Sequence, residues 1–184
     1  MTETIRCAWC GSDPLYVAYH DQEWGRPQHD ARALWECLML EGFQAGLSWI
    51  TILRRREGFR AAFQGFDPAV IAGWGADEVA RLLADARIIR HRGKIAATIA
   101  GAQVFQRIEA REGFAPFLWR HVGDVPIRRR PTGPGVTETA EARALAKSLK
   151  AEGFKFCGPT ITYAFMQAVG MVNDHAPDCA WANV

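Results

Sequence analysis

The sequence predicts an all-α domain. Apolar residues recur at three- and four-residue spacing along most of the chain. Helix caps and helix breakers punctuate those stretches, and no segment alternates apolar and polar residues as a half-buried strand does. At 184 residues, 49% apolar and 23% charged, the chain is expected to be a single domain over 1–184 with a substantial core.

Asp30 is placed to cap a helix over 31–42, with Leu34, Trp35, Leu38 and Met39 on one face. Gly42 and Gly46 are expected to bracket a short turn. A second helix is expected to carry Leu47, Ile50 and Leu53 inward and Arg54, Arg55 and Arg56 at its C-terminal end, where cations suit the helix dipole. Asp67-Pro68 is a cap followed by a first-turn proline. Residues 77–109 read as a short helix over 77–85, a compact turn over 86–93, and a long helix over 94–109 with Ile95, Ile99, Ala102 and Phe105 on one side. Residues 122–136, rich in proline and glycine, read as a surface loop. Helix resumes near Thr139 and stops at Gly153. A last helix opens at Pro159, runs through Ala168 and closes at Gly170.

No run of 18 apolar residues is present, so no membrane span is expected. The first ten residues, MTETIRCAWC, lack the apolar core of a signal peptide, which leads to the expectation of a cytoplasmic protein. A monomer is the default. With 22 basic and 20 acidic residues the net charge is +2, too small to announce a nucleic-acid partner by itself. The basic residues do cluster, at 54–56, at 87–94 and at 128–130. Each cluster reads either as a solvated turn or as a set of phosphate contacts near helix ends.

Two groups of residues suggest chemistry. The first is a metal site split between the chain ends. His175-x3-Cys179 has the ligand types and spacing of half a zinc site, and Cys7, Cys10 and His20 offer the other half. Either Cys7 with Cys10, or one cysteine with His20, completes it. A clip joining segments 5–22 and 170–184 would close nearly the whole chain into one loop. With all four positions filled by protein, such a zinc is structural. Cys37 and Cys157 lie among apolar neighbours and read as core residues.

The second is Glu41, the only charge in CLMLEGFQAGLSWITIL, residues 37–53. A carboxyl in such a segment is expected to be buried, and so hydrogen-bonded, neutralised or waiting for a ligand. A cap near Gly42 is one reading. The other is the acid of a pocket for a flat ring, with Tyr16, Tyr19, Trp24 and Trp49 as walls. Spacing alone leaves both open.

The motifs DPLYVAYHDQEWG, LEGFQAGLSWITILRRR, ARIIRHRGKI and FKFCGPTITYAFMQAVGMVNDH, in this order, resemble the constitutive bacterial DNA-3-methyladenine glycosylases of type I. The resemblance spans about residues 5–180. It implies a helix-hairpin-helix glycosylase fold, with the hairpin module in 77–109. It implies monofunctional excision of 3-methyladenine, and less well of 3-methylguanine, from double-stranded DNA carrying alkylated purines, by base flipping and without a lyase step.

The same resemblance assigns residues. The family's first metal ligand precedes a tryptophan by two residues and the histidine of YHD by thirteen. That matches Cys7 and implies one structural zinc on Cys7, His20, His175 and Cys179, with Cys10 left over. The pocket is implied to use Glu41 as its functional acid, Tyr16 and Tyr19 for recognition and Trp49 for stacking. Leu47 is the implied wedge in the duplex. Arg90, His91, Arg92, Gly93 and Lys94 are expected to grip a phosphate.

Two positions depart from the family pattern. Phe43 stands where some members have glutamine, close enough to Glu41 to affect the pocket rim. Arg87 stands where glycine is expected, and could reshape the hairpin or add a phosphate contact. The aspartate that many hairpin glycosylases direct at the sugar has no counterpart after the hairpin, where the next acid beyond Lys94 is Glu109. A cationic base that leaves as a neutral molecule makes that absence tolerable. Two other readings compete: a DNA-binding module without activity, and a zinc hydrolase acting on a small molecule.

Overall fold

The computed structural model describes residues 4–129 and 135–183. Ten α-helices account for most of the described residues. Residues 130–134 of the Pro-rich segment, including Arg130, lie outside the described part.

Helix α1 (Pro14–Gln22) starts on Asp13, whose carboxylate accepts from the N–H groups of Leu15 and Tyr16. Helix α2 (Ala31–Gln44) starts on Asp30, as its cap position predicts. It runs two residues further than expected. Gly42 is therefore a helical residue, and its missing Cβ sits against Phe156, whose Cβ would lie 3.6 Å from one. The turn forms at Gly46, where φ is +81°.

The expected second helix is two short ones, α3 (Trp49–Leu53) and α4 (Arg56–Ala62). The arginines form the joint between them, with Arg55 at φ −105°, ψ 0°, off the helical region. Leu47 lies ahead of α3 in the turn and is 39% exposed, so it is not an inward helix residue.

Helix α5 (Pro68–Ile71) is capped by Asp67. Helices α6 (Ala76–Ala84) and α7 (Arg92–Arg111) flank the turn 85–91, close to the expected bounds. Helix α8 (Phe114–Trp119) was not expected. It follows Gly113, and its apolar run FAPFLW is buried on four of six residues. Helix α9 (Ala140–Glu152) is capped by Thr139 and ends on Gly153, and α10 (Pro159–Ala168) follows.

One further departure from the all-α expectation is a short parallel pair, β1 (Ile127–Arg128) with β2 (Val172–Asn173). Two residues per strand leave no alternation to read in a sequence. The pair draws the Pro-rich segment onto the stretch just before His175.

Helix α2 packs against α3, α7, α8 and α10, which puts its apolar residues at the centre of the main core. A smaller apolar cluster gathers Cys7, Tyr19, Trp24, Leu53 and Cys179 near the chain ends. The Ala180 N–H donates to the Ile5 carbonyl at 3.0 Å, so the two terminal segments meet. Among the described residues no helix is long and apolar enough to cross a membrane.

Candidate functional site

A cavity of about 1170 Å³ opens between α1, the C-terminal half of α2, the start of α3 and the segment around β2. Glu41, Tyr16, Tyr19 and Trp49 all line it. These four, and Trp24, are the residues that the sequence suggests around one pocket, and the fold does gather them. Trp9 also lines it, as do Arg129, which in the sequence reads only as part of a basic cluster, and Gln44, Glu141, Gln167 and Asp174, to which sequence reasoning assigns no role.

The aromatic wall is continuous. Trp9 meets Tyr16 at 4.9 Å between ring centroids and Trp24 at 4.9 Å, and Tyr19 meets Trp49 at 5.6 Å. Tyr16 and Tyr19 lie one helical turn apart on α1, which sets both phenols on one side. Burial is the main cause raising both phenol pKa values, so they remain O–H groups at neutral pH.

Glu41 is 3% exposed, and no described residue donates a hydrogen bond to its carboxyl. It is no helix cap. Burial alone pushes its pKa up to about 8. The group is therefore largely protonated at neutral pH while the cavity holds no cation, and a positive ring beside it would favour the carboxylate. It lines the same cavity as Tyr16, Tyr19 and Trp49, and its ionised form would push the pKa of both tyrosines further up.

Leu47 tops a tight turn between Gln44 and Trp49, two residues that line the cavity. Its N–H donates to the Gln44 carbonyl at 2.7 Å, and the Gln44 side-chain amide donates back to the Leu47 carbonyl at 2.8 Å. An exposed leucine on a turn closed from both sides is held out toward solvent.

Around the start of α7, Arg90, His91, Arg92 and Gly93 are exposed. Arg90 and Arg92 have no ion-pair partner among the described residues. The His91 ring caps α7 by accepting from the Lys94 N–H at 3.2 Å. Lys94 corrects the expectation of a phosphate grip. It is buried, and its ammonium donates to the carbonyls of Phe43 at 2.8 Å and Ala45 at 2.7 Å, at the end of α2.

The first arginine cluster, 54–56, and Arg87 of the second are committed elsewhere. Arg54 pairs with Asp13, and Arg56 forms a two-pronged pair with Glu23. The Arg87 guanidinium folds onto Asp85 and does not stand free for a phosphate. Phe43 faces away from the cavity, 4.7 Å from the Phe59 ring, so its effect on the rim is not found. Glu109 accepts from the Phe114 N–H at the far end of α7, remote from the cavity lining.

At the chain ends, one donor atom each from Cys7, His20 and Cys179 lies within 4.8 Å of the others. The three are buried. His175 stands against His20, ring centroids 5.1 Å apart, and its Nε2 is buried without a hydrogen-bond partner. The remaining ring nitrogens are held: His20 Nδ1 by Asp21 at 2.8 Å and His175 Nδ1 by Asn173 at 2.9 Å. Arg6 in turn grips Asp21 through two nitrogens. Cys10 points away, its thiol donating to the Cys7 carbonyl. Gly25, at φ +76°, leaves room for His175, whose Cε1 would be 2.6 Å from any Cβ there.

Such a fold, helical, with an aromatic cavity and a buried acid that accepts no described hydrogen bond, defines a site of the size and chemistry for a flat ring. The family model "Methyladenine glycosylase" matches residues 9–183, and the chain belongs to that family. It is 50% identical over 177 residues to DNA-3-methyladenine glycosylase 1 of Escherichia coli (strain K12), covering 95% of each chain. It is 44% identical to DNA-3-methyladenine glycosylase of Haemophilus influenzae, covering 96% of this chain and 97% of the relative. A crystal structure of 3-methyladenine DNA glycosylase I superposes with a TM-score of 0.94 at 50% identity, covering 96% of this chain and 98% of the other. A second, of a 3-methyladenine DNA glycosylase I variant in complex with 3-methyladenine, superposes with a TM-score of 0.92 at 36% identity, covering 97% and 98%.

Proposed function

We propose that this protein hydrolyses the N-glycosidic bond of 3-methyladenine in alkylated double-stranded DNA, releasing the free base and leaving an abasic site. The observation that carries this reading is Glu41, an unpartnered buried acid on the wall of an aromatic cavity. Family membership and the relatives' names support it.

Methylation at N3 makes the purine a cation while it is attached to the sugar. Between Trp49 and the tyrosines the ring gains stacking and cation–π energy. Its charge also draws the Glu41 proton off, because the ionised carboxyl then has a partner. Neutral adenine offers no such compensation, so the same acid discriminates against it. The base must leave the duplex to reach the cavity. Leu47, held out on its closed turn, is the group we assign to the gap left behind. We read α6, the turn 85–91 and α7 as the hairpin that holds a phosphate, with Arg90 and Arg92 as side-chain contacts and the exposed residue Gly93 beside them; the His91 N–H is taken by the Ile89 carbonyl. Among the described residues no lysine lines the cavity to form a Schiff base, which supports a monofunctional reading.

We read Cys7, His20, His175 and Cys179 as the ligands of one structural zinc ion. The clustered donors and the orphaned Nε2 of His175 fit such an ion, and the bonds from Asp21 and Asn173 orient both imidazoles toward it. A four-ligand zinc holds the chain ends together and takes no part in the chemistry.

The test is chromatography of bases released from methylated DNA. The wild type should release 3-methyladenine well above the spontaneous rate. Glu41→Gln should be slower by roughly 10- to 150-fold, the loss of one charge-assisted contact. DNA binding without release by the wild type would leave only a binding module.

A further inference from the structure

A cationic base leaves readily, and a group at the sugar that steadies the developing charge speeds its release further. The cavity is larger than one base requires, and its lining has a polar part remote in sequence from the aromatic wall: Arg129, Glu141, Gln167 and Asp174. We propose that Asp174 is a catalytic carboxylate of this reaction, holding the attacking water at C1′ and facing the positive charge that develops on the sugar.

The argument starts from how Asp174 is held. Its Oδ2 accepts from the Tyr163 hydroxyl and from the Gln167 amide at 2.8 Å. Those donors stand four residues apart on α10, on one helix face. The neighbouring Asn173 is fixed by strand pairing to β1. Oδ1 accepts no bond from any described residue, although Asp174 lines the cavity. One oxygen is thus anchored and the other available, as preorganised electrostatic stabilisation requires.

The other acids are occupied or unsuited. Glu109 caps Phe114. Glu141 is engaged by its own backbone N–H and by Thr139 at the start of α9. Glu41 is free but sits against the aromatic wall, where the ring goes.

The step balances without a further reactant. The C1′–N9 bond breaks, and its electron pair stays with the base, cancelling the cationic charge. The water oxygen bonds to C1′, and the proton it sheds passes to solvent through the open cavity. Asp174 supplies orientation and negative charge throughout.

This inference rests on the proposed glycosylase activity, and the experiment separates the two. Single-turnover release of 3-methyladenine would be measured for wild type, Asp174→Asn and Tyr163→Phe. Affinity for free 3-methyladenine, from tryptophan fluorescence, and zinc content would be measured alongside. Asp174→Asn should release base about tenfold more slowly or worse, with wild-type affinity for the free base and wild-type zinc content. Tyr163→Phe, which loosens the carboxylate without removing it, should show a smaller loss of rate. A wild-type rate in Asp174→Asn overturns the proposal, and so does a matching loss of free-base affinity, which would make the residue a recognition group. If Asp174→Asn fails to fold or to hold zinc, Tyr163→Phe decides: an unchanged rate overturns the assignment. A wild type that releases no 3-methyladenine fails the parent reading, and this one with it.

Discussion

The Lys94 ammonium, in the first turn of α7, donates to the Phe43 carbonyl at 2.8 Å, tying the turn that precedes α7 to the end of the helix that carries Glu41. The bond to the Ala45 carbonyl completes a cap on α2 from outside the helix. Burial lowers the Lys94 pKa, but two carbonyls at a helix C-terminus favour the cation in place.

Lys94→Met should therefore act on stability, not on phosphate binding. It leaves buried carbonyls unpaired, at a cost of about 1–3 kcal/mol, read from urea unfolding. The salt dependence of DNA binding should keep its slope. Arg92→Ala should do the opposite, leaving stability nearly unchanged and reducing the slope by about one. A reduced slope in Lys94→Met would return that residue to the phosphate contacts.

Removing the proposed zinc should loosen both chain ends together. Cys7 and Cys179 are 172 residues apart in sequence, and the described links between their segments are few: the Ile5–Ala180 backbone bond and the Ala176 N–H donating to Cys7 Sγ. Tyr16, Tyr19 and Trp9 sit on the loosened N-terminal segment, so base binding should weaken with the fold. The expected result of a strong chelator, or of Cys179→Ala, is a lower melting temperature and loss of 3-methyladenine affinity. Cys10→Ala should retain zinc, because its thiol bonds only to backbone carbonyls. Metal loss in Cys10→Ala would exchange the roles of the two cysteines.

Much of this was legible in the chain, and the misses have physical causes. Asp30, Thr139, Pro159 and Gly153 announce helix ends because each supplies a local bond or dihedral that ends require. Glu41 was conspicuous as the one charge in an apolar run, but whether it capped a helix or faced a cavity depends on tertiary packing. Asp174 was hidden for the opposite reason. It sits beside a metal-ligand motif, and its partners Tyr163 and Gln167 read as ordinary residues of an apolar helix. Lys94 was misjudged because a lysine beside two arginines looks like surface, and only the fold brings the carbonyls of Phe43 and Ala45 within its reach. Strands of two residues and the proline-containing α8 carry too little periodicity to be read at all.

Glu41 should make the protein less stable as pH rises. Its carboxyl keeps its proton up to about pH 8 in the folded state, against a value of 4.5 for an unperturbed glutamate. Below about pH 4.5 both states hold the proton and the residue contributes no pH dependence. Between those values the unfolded chain is ionised and the folded one is not. Stability then falls as pH rises, by up to about 1.4 kcal/mol per unit for this group, and levels off above about pH 8. Glu41→Gln removes the term, so it should raise the melting temperature at pH 8 and change it little at pH 4.5. A cationic ligand that draws the proton off would flatten the wild-type dependence in the same way. Equal stabilisation by Glu41→Gln at both pH values would mean that the carboxyl is not buried without a partner. The acid fitted to a positive ring would then be a structural one.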